Sequence, residues 1–135
     1  MEQKPPHFGI FCFINEVKVD IVRHPHPIIR PQLLFDGIRM ISTEDIIAMK
    51  VQAILGRGKK KDFWDIVELM EHYTVADFIR FHKEKYATQN LLITVPQAIT
   101  YFLDADESEE PISLKNQSRE SVKGFISGKV REYLR

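Results

Sequence analysis

Three prolines stand within the eight residues HPHPIIRP, which occupy positions 24–31 of this 135-residue chain. Proline lacks a backbone N–H and disfavours the helical region for the residue before it, so this stretch is an extended loop and not helix. It separates two parts of the chain with different hydrophobic periods. Before it, FGIFCFI at 8–14 is one continuous apolar run, which predicts a strand buried on both faces. VKVDIVR at 17–23 alternates, with Val17, Val19 and Ile21 on one face and Lys18, Asp20 and Val22 on the other. With Asn15-Glu16 as a short turn, 8–23 reads as a β-hairpin. A short strand is expected over 38–41.

After the prolines the period changes to that of a helix. Ser42 is a natural N-cap, Glu44 and Asp45 load the first turn with acid, and Ile47, Val51, Ile54 and Leu55 recur at helical spacing up to Gly56. A second helix is predicted over 61–73, with Phe63, Ile66, Val67 and Met70 inward. A third is expected from a Thr74 cap to about residue 86, and a fourth near 95–104 with Pro96 in its first turn. DADESEEP at 104–111 reads as an acidic linker. A last helix, capped by Ser118, carries Val122, Phe125, Ile126, Val130 and Leu134. The expected class is α+β: an N-terminal β-hairpin or small sheet followed by about five helices. The expectation is a single domain over 1–135, β-rich over 8–41 and helical over 42–135.

Acids and bases balance at 19 each, so attraction to nucleic acid or a membrane surface has to be argued locally. Cys12 is alone in an apolar run; a buried free thiol fits a reducing cytoplasm. The start MEQKPPH is polar and no apolar run approaches ~18 residues, so neither secretion nor a membrane span is expected.

Four features could carry chemistry. Lys50 lies inside the first helix: its stem can snorkel past apolar neighbours, or its ammonium can meet a triphosphate as a point charge. GRGKKK at 56–61 is either a solvated turn between helices or an anion-facing loop, its glycines admitting the backbone while Arg57, Lys59, Lys60 and Lys61 supply charge. The GxxxxGK[ST] spacing of a P-loop is absent. Asp62 and Asp65 share one side of the second helix. They are an N-terminal acid and a lysine partner, or carboxylates that orient Lys50 or Arg57 or accept a proton from a nucleophile. Asp20, flanked by Val19 and Ile21, needs a partner or a metal if buried and no explanation if exposed. The histidines are scattered without zinc-site spacing.

Together these residues resemble a known family. ISTEDIIAMKVQAILGRGKKKDFWDIVELM, at 41–70, is similar to the core segment of AbiEii/AbiGii-type nucleotidyltransferase toxins, a branch of the polymerase-β-like nucleotidyltransferases. The matching positions are Ser42, Asp45-Ile46, Lys50, Arg57, Lys61-Asp62 and Asp65. VKVDIVRHPHPIIRP is similar to the strand bearing the family's third acid, here Asp20, and the tail from ITYFLDADESEEP to SVKGFISGKVREYL resembles its closing helices. The resemblance implies transfer of a nucleotide from an NTP to an acceptor such as RNA, by a toxin opposed by a cognate antitoxin. It implies that Asp20 is a catalytic acid and ligand of a Mg2+ ion arriving with the NTP, that Lys50, Arg57 and Lys61 bind the nucleotide, and that Asp62 is base or orienter with Asp65 in support. The family's Gly-Ser or Gly-Gly turn with its DxD or DxE pair does not occur in the nineteen residues before Asp20. The one Asp-x-Asp, Asp104 and Asp106, lies near the other end. The pattern therefore corresponds to the C-terminal part of the family. That leaves an incomplete metal site, and a hairpin edge expected to pair with a missing N-terminal half, another chain or a second copy. A module that kept the scaffold and binds a nucleotide or partner without catalysis is the alternative.

Overall fold

The computed structural model describes residues 9–102 and 108–135. Among them the architecture is α+β: two small antiparallel sheets of two strands each, then five helices. β1 (Gly9–Ile14) pairs with β2 (Val17–Val22), placing Phe11 opposite Asp20 and Ile14 opposite Val17. Asn15 and Glu16 between them both have positive φ, 49° and 66°, the twist that suits a two-residue hairpin turn.

The strand expected over 38–41 is one arm of a second hairpin. β3 (Leu33–Phe35) pairs with β4 (Ile38–Met40) across Asp36 and Gly37, whose φ values are 52° and 78°. Asp-Gly supplies this conformation because glycine carries no Cβ and aspartate tolerates it.

The hairpins correct one expectation. β1 is not buried on both faces: Ile10, Phe11, Phe13 and Ile14 are 59%, 57%, 73% and 56% exposed. Cys12 is half-buried, not buried. The apolar run encodes two covered faces, but among the described residues no helix packs closely on either hairpin. Phe8, at the head of that run, lies outside the described residues.

The core is helical. α1 (Thr43–Arg57) begins at Ser42, whose hydroxyl accepts from the Asp45 amide, and runs one residue past Gly56 to a cap at Gly58. A Cβ at Gly58 would lie 3.0 Å from the Phe63 ring, so this close turn favours glycine. α2 (Lys60–Met70) buries Phe63, Ile66, Val67 and Met70, the face predicted from spacing, together with Trp64. α3 (Val75–Lys85) starts at a Thr74–Asp77 capping box and buries Phe78 and Phe81. α4 (Val95–Thr100) is shorter than expected, and α5 (Arg119–Leu134) buries Val122, Ile126 and Val130 while Leu134 is exposed. α1 packs on α2, α3 and α4, and α5 closes the cluster.

The proline segment docks on this bundle. Asp45 at the head of α1 and Lys85 at the end of α3 form an ion pair of 2.7 Å with both side chains fully buried. Asp45 also accepts the amides of Ile29 at 3.0 Å and Arg30 at 3.1 Å, and Lys85 donates to the Pro27 carbonyl at 2.8 Å. At the surface Arg30 makes a bidentate pair with Glu84, at 2.7 and 3.3 Å, and its guanidinium lies over the Phe81 ring.

Candidate functional site

Two helices meeting at the Gly58 turn create the cluster. The periodicity that buries Ile47 and Val51 leaves Lys50 on the flank of α1 that faces the start of α2. Its Nζ lies 2.6 Å from Asp65 Oδ2 and 3.2 Å from Asp62 Oδ1. Burial pushes the Lys50 pKa down, but Asp65 and then Asp62 outweigh it and hold it above the ordinary lysine value. The ammonium is therefore charged at neutral pH, half-buried, and shared between two carboxylates.

Those carboxylates sit differently. Asp62 is buried; its Oδ2 accepts the Lys59 amide at 3.0 Å while its Oδ1 takes Lys50. Lys59 stands at the N-cap position, where its ammonium can accept nothing, so Asp62 performs the capping alone. Asp65, one turn on, is 51% exposed and has Lys50 as its ion partner. Asp62 is thus committed to holding α2 and Lys50, and Asp65 is the carboxylate within reach of an incoming group.

The structure divides the basic loop. Lys61 is exposed. Lys60 is buried: its Nζ meets Glu110 at 2.7 Å and its amide donates to Ser108 at 2.9 Å, both from the segment between α4 and α5. Spacing gave no sign of this partner, fifty residues away. Arg57 is the last residue of α1, and its side chain lies outside the described part, as do Asp104 and Asp106.

Asp20 stands apart on β2, where its partner is Lys18 at 3.6 Å and its side chain is 40% exposed. Its exposure removes the need for a buried counter-charge. Among the described residues no three histidines, cysteines or acids come together as a metal site. One carboxylate does not meet the need of Mg2+ for several oxygen ligands, so these residues do not by themselves make the metal site that the resemblance implies. A cavity of ≈ 780 Å3 lies elsewhere, lined by apolar residues such as Leu91, Ile93, Val130 and Leu134.

The family described as nucleotidyl transferase AbiEii toxin, type IV TA system, matches residues 14–131, a span that includes Asp20, Lys50, Asp62 and Asp65. The chain belongs to the AbiEii family. An uncharacterized protein of Aquifex aeolicus (strain VF5) is 32% identical over 129 residues, 93% of this chain and 61% of that protein. The AbiEii chain described here thus spans about three-fifths of that relative's length. No solved structure matches it. Within the matched span the candidate residues of the helical part fall into two groups. Asp45, its carboxylate held by the Ser42 hydroxyl, binds the proline segment, and Lys50, Asp62 and Asp65 form the charged cluster at the α1–α2 turn. No described helix is long and apolar enough to cross a membrane.

Proposed function

We propose that this AbiEii chain supplies the helical, phosphate-facing part of a nucleotidyltransferase site that moves a nucleotide from an NTP to an acceptor such as RNA, as a toxin held in check by a cognate antitoxin. The observation that carries this reading is Lys50, a half-buried ammonium held between Asp62 and Asp65 beside a basic glycine-containing turn. A lysine fixed at the base of such a turn can meet a triphosphate oxygen as a preset point charge. Lys61 adds a further positive charge at this turn, and Arg57 is retained as a nucleotide-binding residue on the sequence resemblance alone. Asp62 orients Lys50. Asp65, more exposed, releases Lys50 to the phosphate or accepts the proton of an acceptor hydroxyl. Asp20 adds one carboxylate for Mg2+ entering with the NTP, and the remaining ligands belong to the triphosphate or to protein groups beyond this set. The cytoplasm is where such a toxin meets NTP and RNA.

Titration of the full chain with Mg2+ and each NTP tests the reading. Lys50→Ala is expected to weaken nucleotide binding at least tenfold with the helices intact; equal affinity in both proteins would remove Lys50 from the site.

A second reading has its own support. One face of the first hairpin is wholly apolar, formed by Ile10, Cys12, Ile14, Val17, Val19 and Ile21. Leu34, Phe35 and Ile38 of the second hairpin are also exposed. These surfaces suit a module that assembles with further β structure, either a nucleotidyltransferase N-terminal half or a second copy.

A further inference from the structure

We infer that Asp45 and Lys85 are positioning residues: their buried pair is a latch on the 24–31 segment that fixes the first hairpin, and with it Asp20, relative to Lys50, Asp62 and Asp65. The functional half of this inference rests on the proposal that Asp20 and Lys50 serve one site.

A proline-rich segment cannot satisfy its own amides and carbonyls through a helix, and the 24–31 segment pairs with no strand. Three of its backbone groups end instead on one ion pair: the Ile29 and Arg30 amides on the two oxygens of Asp45, and the Pro27 carbonyl on Lys85 Nζ. Ser42 Oγ fixes the same carboxylate at 2.5 Å. An apolar pair of similar volume would pack as well but would leave those groups without partners. The charges are therefore explained by what they hold. Arg30 with Glu84 closes the clamp on the solvent side.

The latch acts at short range. Val22 ends β2 five residues before Pro27. An extended chain covers at most ~3.3–3.6 Å per residue, so the hairpin is held within roughly 17 Å of the anchored carbonyl. Beyond the latch, the second hairpin intervenes before Ser42 opens α1. Few other contacts tie the hairpins to the bundle. Loss of the latch would free the hairpin while leaving the packing around Val51, Ile66 and Phe78 in place.

The test is a distance measurement on the full chain. In a Cys12→Ser background, spin labels at Lys18→Cys on β2 and Ala53→Cys on α1 report the spacing of hairpin and bundle by pulsed EPR. A single narrow distribution is expected. Lys85→Met is expected to broaden it and to speed amide exchange at Ile29 and Arg30 at least tenfold more than at Val51, Ile66 and Phe78. An unchanged distribution, or Ile29 and Arg30 amides that accelerate no more than those of the core, overturns the latch. Should Lys85→Met fail to fold, the wild-type chain still decides: a narrow distribution with slow exchange at the Ile29 and Arg30 amides supports the latch, and a broad distribution or rapid exchange at those amides overturns it. Nucleotide titration of the wild-type chain decides the shared-site reading separately, since the distances do not depend on it.

Discussion

Lys85 Nζ lies 2.7 Å from Asp45 Oδ1 across forty residues of sequence, and neither side chain reaches solvent. Burial pushes the Asp45 pKa up, but Lys85, Ser42 and the amides of Ile29 and Arg30 outweigh it and bring it down to about 2. A carboxylate with a depressed folded pKa adds stability above its unfolded value of ~3.9 and loses it as pH falls towards the folded value. Thermal melts between pH 6 and pH 2 should therefore show a loss beginning below about 4 that is absent in Asp45→Asn. At neutral pH Asp45→Asn should itself be less stable by about 3–5 kcal/mol, because it leaves Lys85 buried without its counter-charge.

Asp62 and Asp65 should separate in urea denaturation. Asp62→Ala removes the acceptor for the Lys59 amide and one partner of Lys50, and is expected to cost about 1–2 kcal/mol. Asp65→Asn loses an exposed ion pair and should cost under about 1 kcal/mol. Equal losses at both positions would contradict the division of labour described for the cluster.

His82 is buried, with Nε2 2.8 Å from Gln52 Oε1 and its ring stacked on Tyr86. Burial lowers its pKa. The unfolded chain, with an ordinary histidine pKa of ~6.5, binds the proton more readily, so stability falls as pH drops below that value. His82→Gln is expected to flatten the melting temperature between pH 7.5 and pH 5; a profile as steep as that of the wild type would place the titrating group elsewhere.

The apolar face of the first hairpin should govern association. Ile21, 57% exposed, shares that face with Val19 and Ile10. Ile21→Asp is expected to reduce concentration-dependent association in light scattering and to leave the helical circular dichroism unchanged. A wild-type chain that stays monomeric at high concentration and binds no hydrophobic dye would count against an assembly surface.

Much of the helical part was legible because one signal repeats. The spacing of Phe63, Ile66, Val67 and Met70 predicts their inner face, and Ser42, Thr74 and Ser118 each accept the amide three residues on. The Asn15-Glu16 turn was legible for similar local reasons. Asp36-Gly37 carried the same kind of signal, but its three-residue arms are too short to show alternation. The burial of β1 was misread because an apolar run reports what a strand needs, and nothing described here covers it. Asp45 was visible only as a helix-start acid. Its partner Lys85, like Glu110 for Lys60, is joined by the fold and not by spacing. The turn at 56–61 offers less positive charge than its letters suggest, since Lys60 is paired with Glu110.

Asp62 holds the amide of Lys59, the residue that caps α2, with one oxygen and the candidate phosphate lysine with the other. In a genetic screen for inactive variants, substitutions at this position should therefore come with low protein abundance. Substitutions at the exposed Lys61 should leave the protein at its normal level. The two positions then separate a lesion in folding from a lesion in charge.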